Sequence, residues 1–360
     1  MPNSNFNYNV QINGKHDARI KGLIADVSAI IEESLDQGGK DSLIPLLFVE
    51  SKSNRQSEYI SIEDALGFMH PTIDGDKPKS DKRGEIGGKR ISHILYTLDT
   101  MVTQVQMEDA DYGLDIGIKN SALQLPRSYY NTREIIGQNA YIYGNKNSFK
   151  FEGAPIDLTT YDGKPLFAKD HTYGAEDGHA FGTQSNYFYV VRDNAAGDAG
   201  FMAELLAALA AEIGQMKNAN GLPQNFLADT VLTMGDKRHT KLNTAVRQAA
   251  GSEYFPSASF ASNAINTQHG QWNYQSMPFW QGETPEIMVM SQTAKEQSKS
   301  LFFDRIDLDI DVYTENGSRN VHWSSRARWG LGHVDYKHAA RCKILSSSDS
   351  VPTDASLLTL

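Results

Sequence analysis

The sequence predicts an α+β protein, with its helices and strands gathered in separate stretches. Three observations predict it. Apolar residues recur at steps of three and four over 20–35 and again over 201–217, the spacing of two amphipathic helices. Residues 302–312 alternate apolar and acidic, and Asn316-Gly317 follows as a hairpin signal. Between the first helix and the strands lies a polar stretch, 70–90, full of glycine, proline and basic residues.

In chain order, residues 1–15 are polar and Asn-rich and read as a mobile tail. Ile20, Leu23, Ile24, Val27, Ile30, Ile31 and Leu35 line one face of a helix that Gly38-Gly39 ends. That helix is either an ordinary core helix or an arm that buries its apolar face on a neighbour. Leu43 to Val49 reads as a strand. His70 to Arg90 is too polar and too rich in breakers for a core and reads as a long exposed loop or a projecting hairpin. Period-two runs follow at Ile94, Tyr96, Leu98 and at Thr103, Val105, Met107.

A helix is expected over 121–147, with Pro126 marking its start or a kink. Residues 150–192 read as loop and strand, ending in a strand at Tyr187 to Val191. Phe201 to Lys217 is a helix in an Ala-rich background, and Thr230 to Met234 a strand. Asp236 to Ala250 is a third helix, N-capped near Gly235-Asp236. Residues 251–282 read as long, irregular and aromatic, and Ile287 to Met290 as a short buried strand. The block 198–298 is expected as a lobe of its own. Beyond it, Phe302 to Val312 pairs with Val321 to Trp329, Ala339 to Ile344 is a last strand, and 346–360 a loose tail.

With 360 residues, 40% hydrophobic and 22% charged, the chain has material for two or three lobes without staples. Its net charge of −10 argues against a broad grip on a nucleic-acid backbone. A single cysteine, Cys342, excludes an intramolecular disulfide and suits a reducing cytosol. No apolar run of about 18 residues is present, so no transmembrane helix and no membrane partner are expected. The opening residues lack the charged start and apolar centre of a signal peptide.

The search for chemistry returns little. Asp170, His171, Glu176, Asp177 and His179 could suggest a metal-assisted hydrolase, but HExxH spacing is absent and the segment reads as a polar loop. Gly84 to Lys89 is one residue short of a phosphate loop, and Arg90 stands where Ser or Thr should follow. Trp323 and Trp329 fall on one face of a strand and Arg326 and Arg328 on the other. Asp307, Asp309 and Asp311 are then natural cross-strand partners for those arginines. Cys342 reads as an inert buried thiol. No catalytic residues, cofactor or metal ligands are assigned.

Asp162-Gly163-Lys164-Pro165-Leu166-Phe167, followed by Asp170-His171, resembles the DGKPLF…H segment of the major head subunits of Mu-like phages. Arg326-Ala327-Arg328-Trp329-Gly330-Leu331-Gly332, then Asp335-Tyr336 and Ala339-Ala340-Arg341, is similar to the closing strands of tailed-phage capsid proteins. The resemblance spans most of 50–345 and is carried by these short motifs. The family often continues His-Pro where this chain has His171-Thr172.

The resemblance implies a Hong Kong 97-like capsid fold. Residues 1–50 are then an N-terminal arm, and 51–120 an extended loop with flanking strands. Residues 121–197 form a peripheral domain with a long spine helix, and 198–298 an axial domain. Return strands of the peripheral domain follow at 299–345, and a tail at 346–360. It implies a structural role and no enzyme: self-assembly into hexamers and pentamers of an icosahedral head around double-stranded DNA, which the acidic chain touches loosely. The implied partners are further copies of the chain, a separate scaffolding protein, a portal and a decoration protein. The implied location is the virion, assembled in the host bacterial cytoplasm. We expect Lys82, Arg83, Lys89 and Arg90 to meet acidic patches on the next subunit. The competing expectations are a cytosolic hydrolase built on Asp170, His171 and His179, or another phage structural protein of the decoration or tail kind.

Overall fold

The computed structural model of the chain describes residues 9–11, 41–63, 69–74, 76–78, 85–108, 112–174, 180–195, 197–218, 220–251, 272–315, 317–318 and 320–360. The expected helix at 20–35 lies outside these residues. The mixed α+β class is borne out, and the chain divides into two compact units.

The first unit comprises Met1–Glu58, Ser92–Gly137 and Phe302–Leu331. Its sheet runs in the order β1 (Asn9–Gln11), β14 (Ser300–Thr314), β15 (Val321–His333), β5 (Ile94–Val102), and β2 (Val49–Lys52) also pairs with β14. Asn9–Gln11, expected within a mobile tail, lies parallel to Asp311–Tyr313. Alternation along β14 and β15 sends Leu308, Ile310, Val312, Trp323, Ala327 and Trp329 inward. The acidic face is partnered as expected at one position, where Arg326 Nε donates to Asp309 Oδ2 at 2.8 Å. Arg328 departs from the expectation and turns its guanidinium to the His93 carbonyl.

Two expected strands in this unit are helices. Leu43 to Val49 contains α1 (Ile44–Leu47), because Pro45 is preset for a first helical turn and Glu134 accepts the Leu43 N–H. Residues beyond Val102 form α2 (Gln104–Glu108), whose start Thr103 and Gln106 cap reciprocally. The helix expected at 121–147 is α3 (Tyr112–Ile142), which starts earlier and carries Pro126 inside.

The second unit comprises Tyr59–Ile91, Gln138–Leu301 and Gly332–Leu360. Its sheet has the order β12 (Asn273–Met277), β11 (Thr230–Met234), β13 (Glu286–Met290), β16 (Ala339–Leu345), β10 (Tyr187–Val191), β17 (Ser356–Leu357). Helices α4 (Ala199–Gln215) and α5 (Thr240–Gly251) cover one face, and Leu205, Leu209, Ile213, Val246, Val231, Val289 and Cys342 meet in that core. Asp198 caps α4 by accepting the Phe201 N–H, and Asp236 caps the short 3-10 turn that leads into α5. Residues 273–277, expected as irregular, are β12.

The block 198–298 is therefore not closed on itself. Ala339–Leu345, expected to run with the preceding strands, lies between β13 (antiparallel) and β10 (parallel). Its burial agrees with that place: Ala339, Ala340, Cys342 and Ile344 are all buried, as in a strand covered on both faces at the centre of a sheet. The helix α6 (Gln292–Gln297) links β13 to β14, capped by Ser291.

Candidate functional site

Strands β3 (Ser57–Glu63) and β4 (Glu85–Ser92) form a two-stranded sheet. Their backbones meet closely at Gly88, where an added Cβ would fall 2.6 Å from the Tyr59 ring and 2.8 Å from the Ile60 carbonyl. Gly88, part of the stretch that resembled a phosphate loop, thus serves strand pairing. Between the strands every described residue of 69–78 is exposed. Met69 is 99% and Ile73 79% exposed, and the local bonds are those of turns, Asp76 N–H to the Ile73 carbonyl and Thr72 Oγ1 to the His70 carbonyl.

The structure separates two of the four basic residues expected at this surface, Lys89 and Arg90. Lys82 and Arg83 lie outside the described residues. Arg90 is exposed. Lys89 is buried, and its ammonium donates to the Asp157 carbonyl at 3.1 Å and to the Thr159 carbonyl, with the Asp157 carboxylate 3.6 Å away. Burial draws its pKa down to about 8, with Asp157 opposing. Period two along β4 explains the split, since residues 89 and 90 must face opposite ways.

The first unit offers a second exposed apolar surface. Strand β5 pairs with β15 on one side and, among the described residues, with no strand on the other. Leu95, Leu98 and Met101 on it are 55%, 45% and 53% exposed. Free edges of this kind pair with other chains unless charge or cover blunts them. Sequence patterning read this strand from Ile94, Tyr96 and Leu98 but not the exposure of its apolar residues, because its alternation reads like that of any half-buried strand.

The hydrolase candidate resolves into a structural knot. Residues 175–179, with Glu176, Asp177 and His179, lie outside the described residues. His171 is fully buried with both ring nitrogens engaged, Nδ1 on Asp162 Oδ2 at 2.8 Å and Nε2 on the Leu166 carbonyl at 3.1 Å. Its ring stacks on Tyr336 with centroids 3.7 Å apart. Asp162 Oδ1 accepts from Thr160 Oγ1 and from the Lys164 N–H, closing a turn in which Gly163 adopts φ +75°. Burial opposes ionisation of Asp162, but the bonds from His171, Thr160 and Lys164 outweigh it and hold the carboxyl below its usual range. Asp170 points away and pairs with Lys164 at 2.8 Å. Leu166 and Phe167 are buried, so the whole DGKPLF…H segment acts as an anchor. Among the described residues no group of three His, Cys, Asp or Glu side chains is placed to hold a metal ion, and no helix is long and apolar enough to cross a membrane. Cys342 is buried, and burial with Glu286 nearby pushes its thiol pKa far up.

No family model and no curated protein matches the sequence. Among solved structures, the chain is similar to the capsid of Myoviridae phage XM1, with TM-score 0.47 and 12% identity over 83% of this chain and 90% of that one. It is similar to a chain of Mycobacterium phage Patience, with TM-score 0.46 and 12% identity over 94% and 91%. It is also similar to the mature capsid of bacteriophage PhiM1, with TM-score 0.47 and 8% identity over 84% and 86%.

Proposed function

We propose that this chain is the major head protein of a tailed phage, a structural subunit that builds an icosahedral shell with a Hong Kong 97-like fold. The observation that carries this reading is the exposed stretch between β3 and β4, where Met69 and Ile73 find no cover on their own chain. Hydrophobic side chains held in water cost free energy until a neighbour covers them, and a shell supplies that neighbour many times over. The β5 edge, which pairs with no further strand among the described residues, adds a second surface, and the DGKPLF…H anchor is the segment that resembles Mu-like head subunits.

In this reading the β3–β4 hairpin is the extended loop, α3 the spine helix, and the six-stranded sheet with α4 and α5 the core of the axial lobe. Heterologous contacts between copies close into hexamers and pentamers. The enclosed cargo is double-stranded DNA, touched loosely by a chain of net charge −10. A scaffolding protein, a portal and a decoration protein complete the set of partners, and assembly takes place in the host bacterial cytoplasm. Arg90, with Lys82 and Arg83, faces acidic residues of the next subunit.

Electron microscopy of the purified chain over a range of concentrations tests the proposal. Shells, tubes or ring-shaped capsomers are expected. A compact monomer at every concentration, with or without the other head proteins, would overturn it.

A further inference from the structure

Two arginines on the sheet of the first unit lack an anionic partner. Alternation along β15 sends Arg326, Arg328 and Gly330 to the face opposite Trp323 and Trp329. Arg326 meets Asp309 of β14 at 2.6 Å, so Asp307, Arg305 and Phe303 follow along β14 on that same face. The His93 ring stands against Phe303, with centroids 5.9 Å apart. It also lies over Gly330, where an added Cβ would fall 2.8 Å from the ring's Cδ2. His93, Arg305 and Arg328 are thus gathered in one patch around a position that carries no side chain.

The acids beside this patch are already engaged. Asp309 holds Arg326, and Asp307 turns to Lys52 at 3.3 Å. Glu58 accepts Ser53 Oγ at 2.7 Å and faces Arg55 at 3.6 Å. Among the described residues no carboxylate lies within ion-pair distance of Arg305 or Arg328. There the Arg328 side chain reaches only the His93 carbonyl, from Nε at 3.4 Å and Nη2 at 3.3 Å, both long for such bonds. Arg305 Nη1 is a buried donor with no partner at all. Both arginines are half-buried, so their charges are drawn partly out of water and stay reachable from it. Withdrawing a guanidinium from water without a partner is unfavourable, and an ion that completes its bonds removes that cost. The planar fork of a guanidinium matches the paired oxygens of a carboxylate or a phosphate.

We propose that Arg305 and Arg328, walled by His93, form an oxyanion site that takes one carboxylate or phosphate group. The oxygens come either from a free ion or from a side chain of a second copy, since a chain with 44 acidic and 34 basic residues has carboxylates to spare. The site lies within a single chain. It therefore stands or falls apart from the assembly reading, which bears only on the occupant.

The test has two arms. In the first, the full chain, below the concentration at which it associates, is dialysed to equilibrium against radiolabelled inorganic phosphate at an ionic strength fixed with chloride. Saturable uptake of one phosphate per chain is expected. Arg305→Gln and Arg328→Gln should each weaken it about tenfold, the loss of one charge-assisted bond. Lys150→Gln, which removes an exposed cation elsewhere, should leave it unchanged. Should the glutamine variants fail to fold, Arg305→Lys and Arg328→Lys keep the charge but lose the planar fork, and weaker uptake is expected of them too. In the second arm, sedimentation follows association of the same proteins with and without phosphate. If a second copy supplies the carboxylate, phosphate competes and both variants associate more weakly. If a free ion is the occupant, association ignores phosphate. Unchanged uptake in the folded arginine variants would overturn the proposal. So would the absence of saturable uptake together with association that responds neither to phosphate nor to the variants.

Discussion

Arg341 and Glu286 form a buried ion pair between adjacent strands, with Arg341 Nε donating to Glu286 Oε2 at 2.7 Å. The same guanidinium donates from Nη1 to the Ile142 carbonyl at 2.7 Å and to the Tyr141 carbonyl at 3.3 Å, and lies 4.9 Å from the Trp280 ring centroid. One arginine therefore neutralises a carboxylate and caps the negative end of α3. Removing one partner strands the other charge in the interior. Arg341→Met and Glu286→Gln should each cost about 3–5 kcal/mol in denaturant unfolding. Replacing both should cost less than the sum, and a strictly additive double variant would rule out their coupling.

Asp162 anchors the DGKPLF turn and His171 together. Its folded carboxyl sits below the usual range, so this group's contribution to stability is present above the unfolded pKa of about 4 and is lost as pH falls through the depressed folded value. Wild-type unfolding should lose stability below about pH 4, while Asp162→Asn should flatten part of that slope. At pH 7 the variant should be weaker by about 1–3 kcal/mol, because Asn cannot accept all the bonds that the carboxylate does. Urea midpoints at pH 7 and pH 3 check both statements.

Lys89 and Arg90 are neighbours with opposite fates. Lys89 is held on its own chain at a pKa of about 8, below its ordinary 10.5. Between these values the unfolded chain binds more protons, so stability rises with pH across that window, by up to roughly 3 kcal/mol. Lys89→Met should erase this rise. Arg90→Ala should leave unfolding within about ±0.5 kcal/mol and act on particle yield instead. Thermal unfolding from pH 7.5 to 10.5, beside particle counts, separates the two effects.

Much of the fold was legible because burial and period agree. Tyr187–Val191 and Thr230–Met234 were read with their observed bounds, since each is an apolar run between breakers. Trp323 and Trp329 inward with Arg326 outward followed from alternation alone. The errors fall where a few polar atoms override pattern. Pro45 and Glu134 turn an apolar run into helix, and Thr103 with Gln106 starts a helix where the strand ends at Val102. The central place of Ala339–Leu345 depends on partners far away in sequence, at 187–191 and 286–290, which no local window contains. The cluster around Asp170, His171 and His179 looked like metal chemistry because a sequence lists donors without saying whether their lone pairs are already engaged, as both ring nitrogens of His171 are.

The two exposed apolar surfaces give the most direct handle on assembly. Met69 and Ile73 project from the stretch between β3 and β4, while Leu95 and Met101 share one face of the β5 edge and Leu98 lies on the other. None of these side chains contributes to its own chain's core, so polar replacements should leave unfolding within about ±0.5 kcal/mol. Association is another matter, because each copy would lose the transfer free energy of the covered groups, about 1.5–3 kcal/mol for each side chain fully buried in an interface. Met69→Ser with Ile73→Ser, and separately Leu98→Lys with Met101→Lys, should shift sedimentation profiles from particles or capsomers towards single chains. The lysine pair should act more strongly, since charge on a free edge also blocks strand pairing. If a variant folds as the wild type does and still assembles at the same concentration, that surface is not an interface between copies.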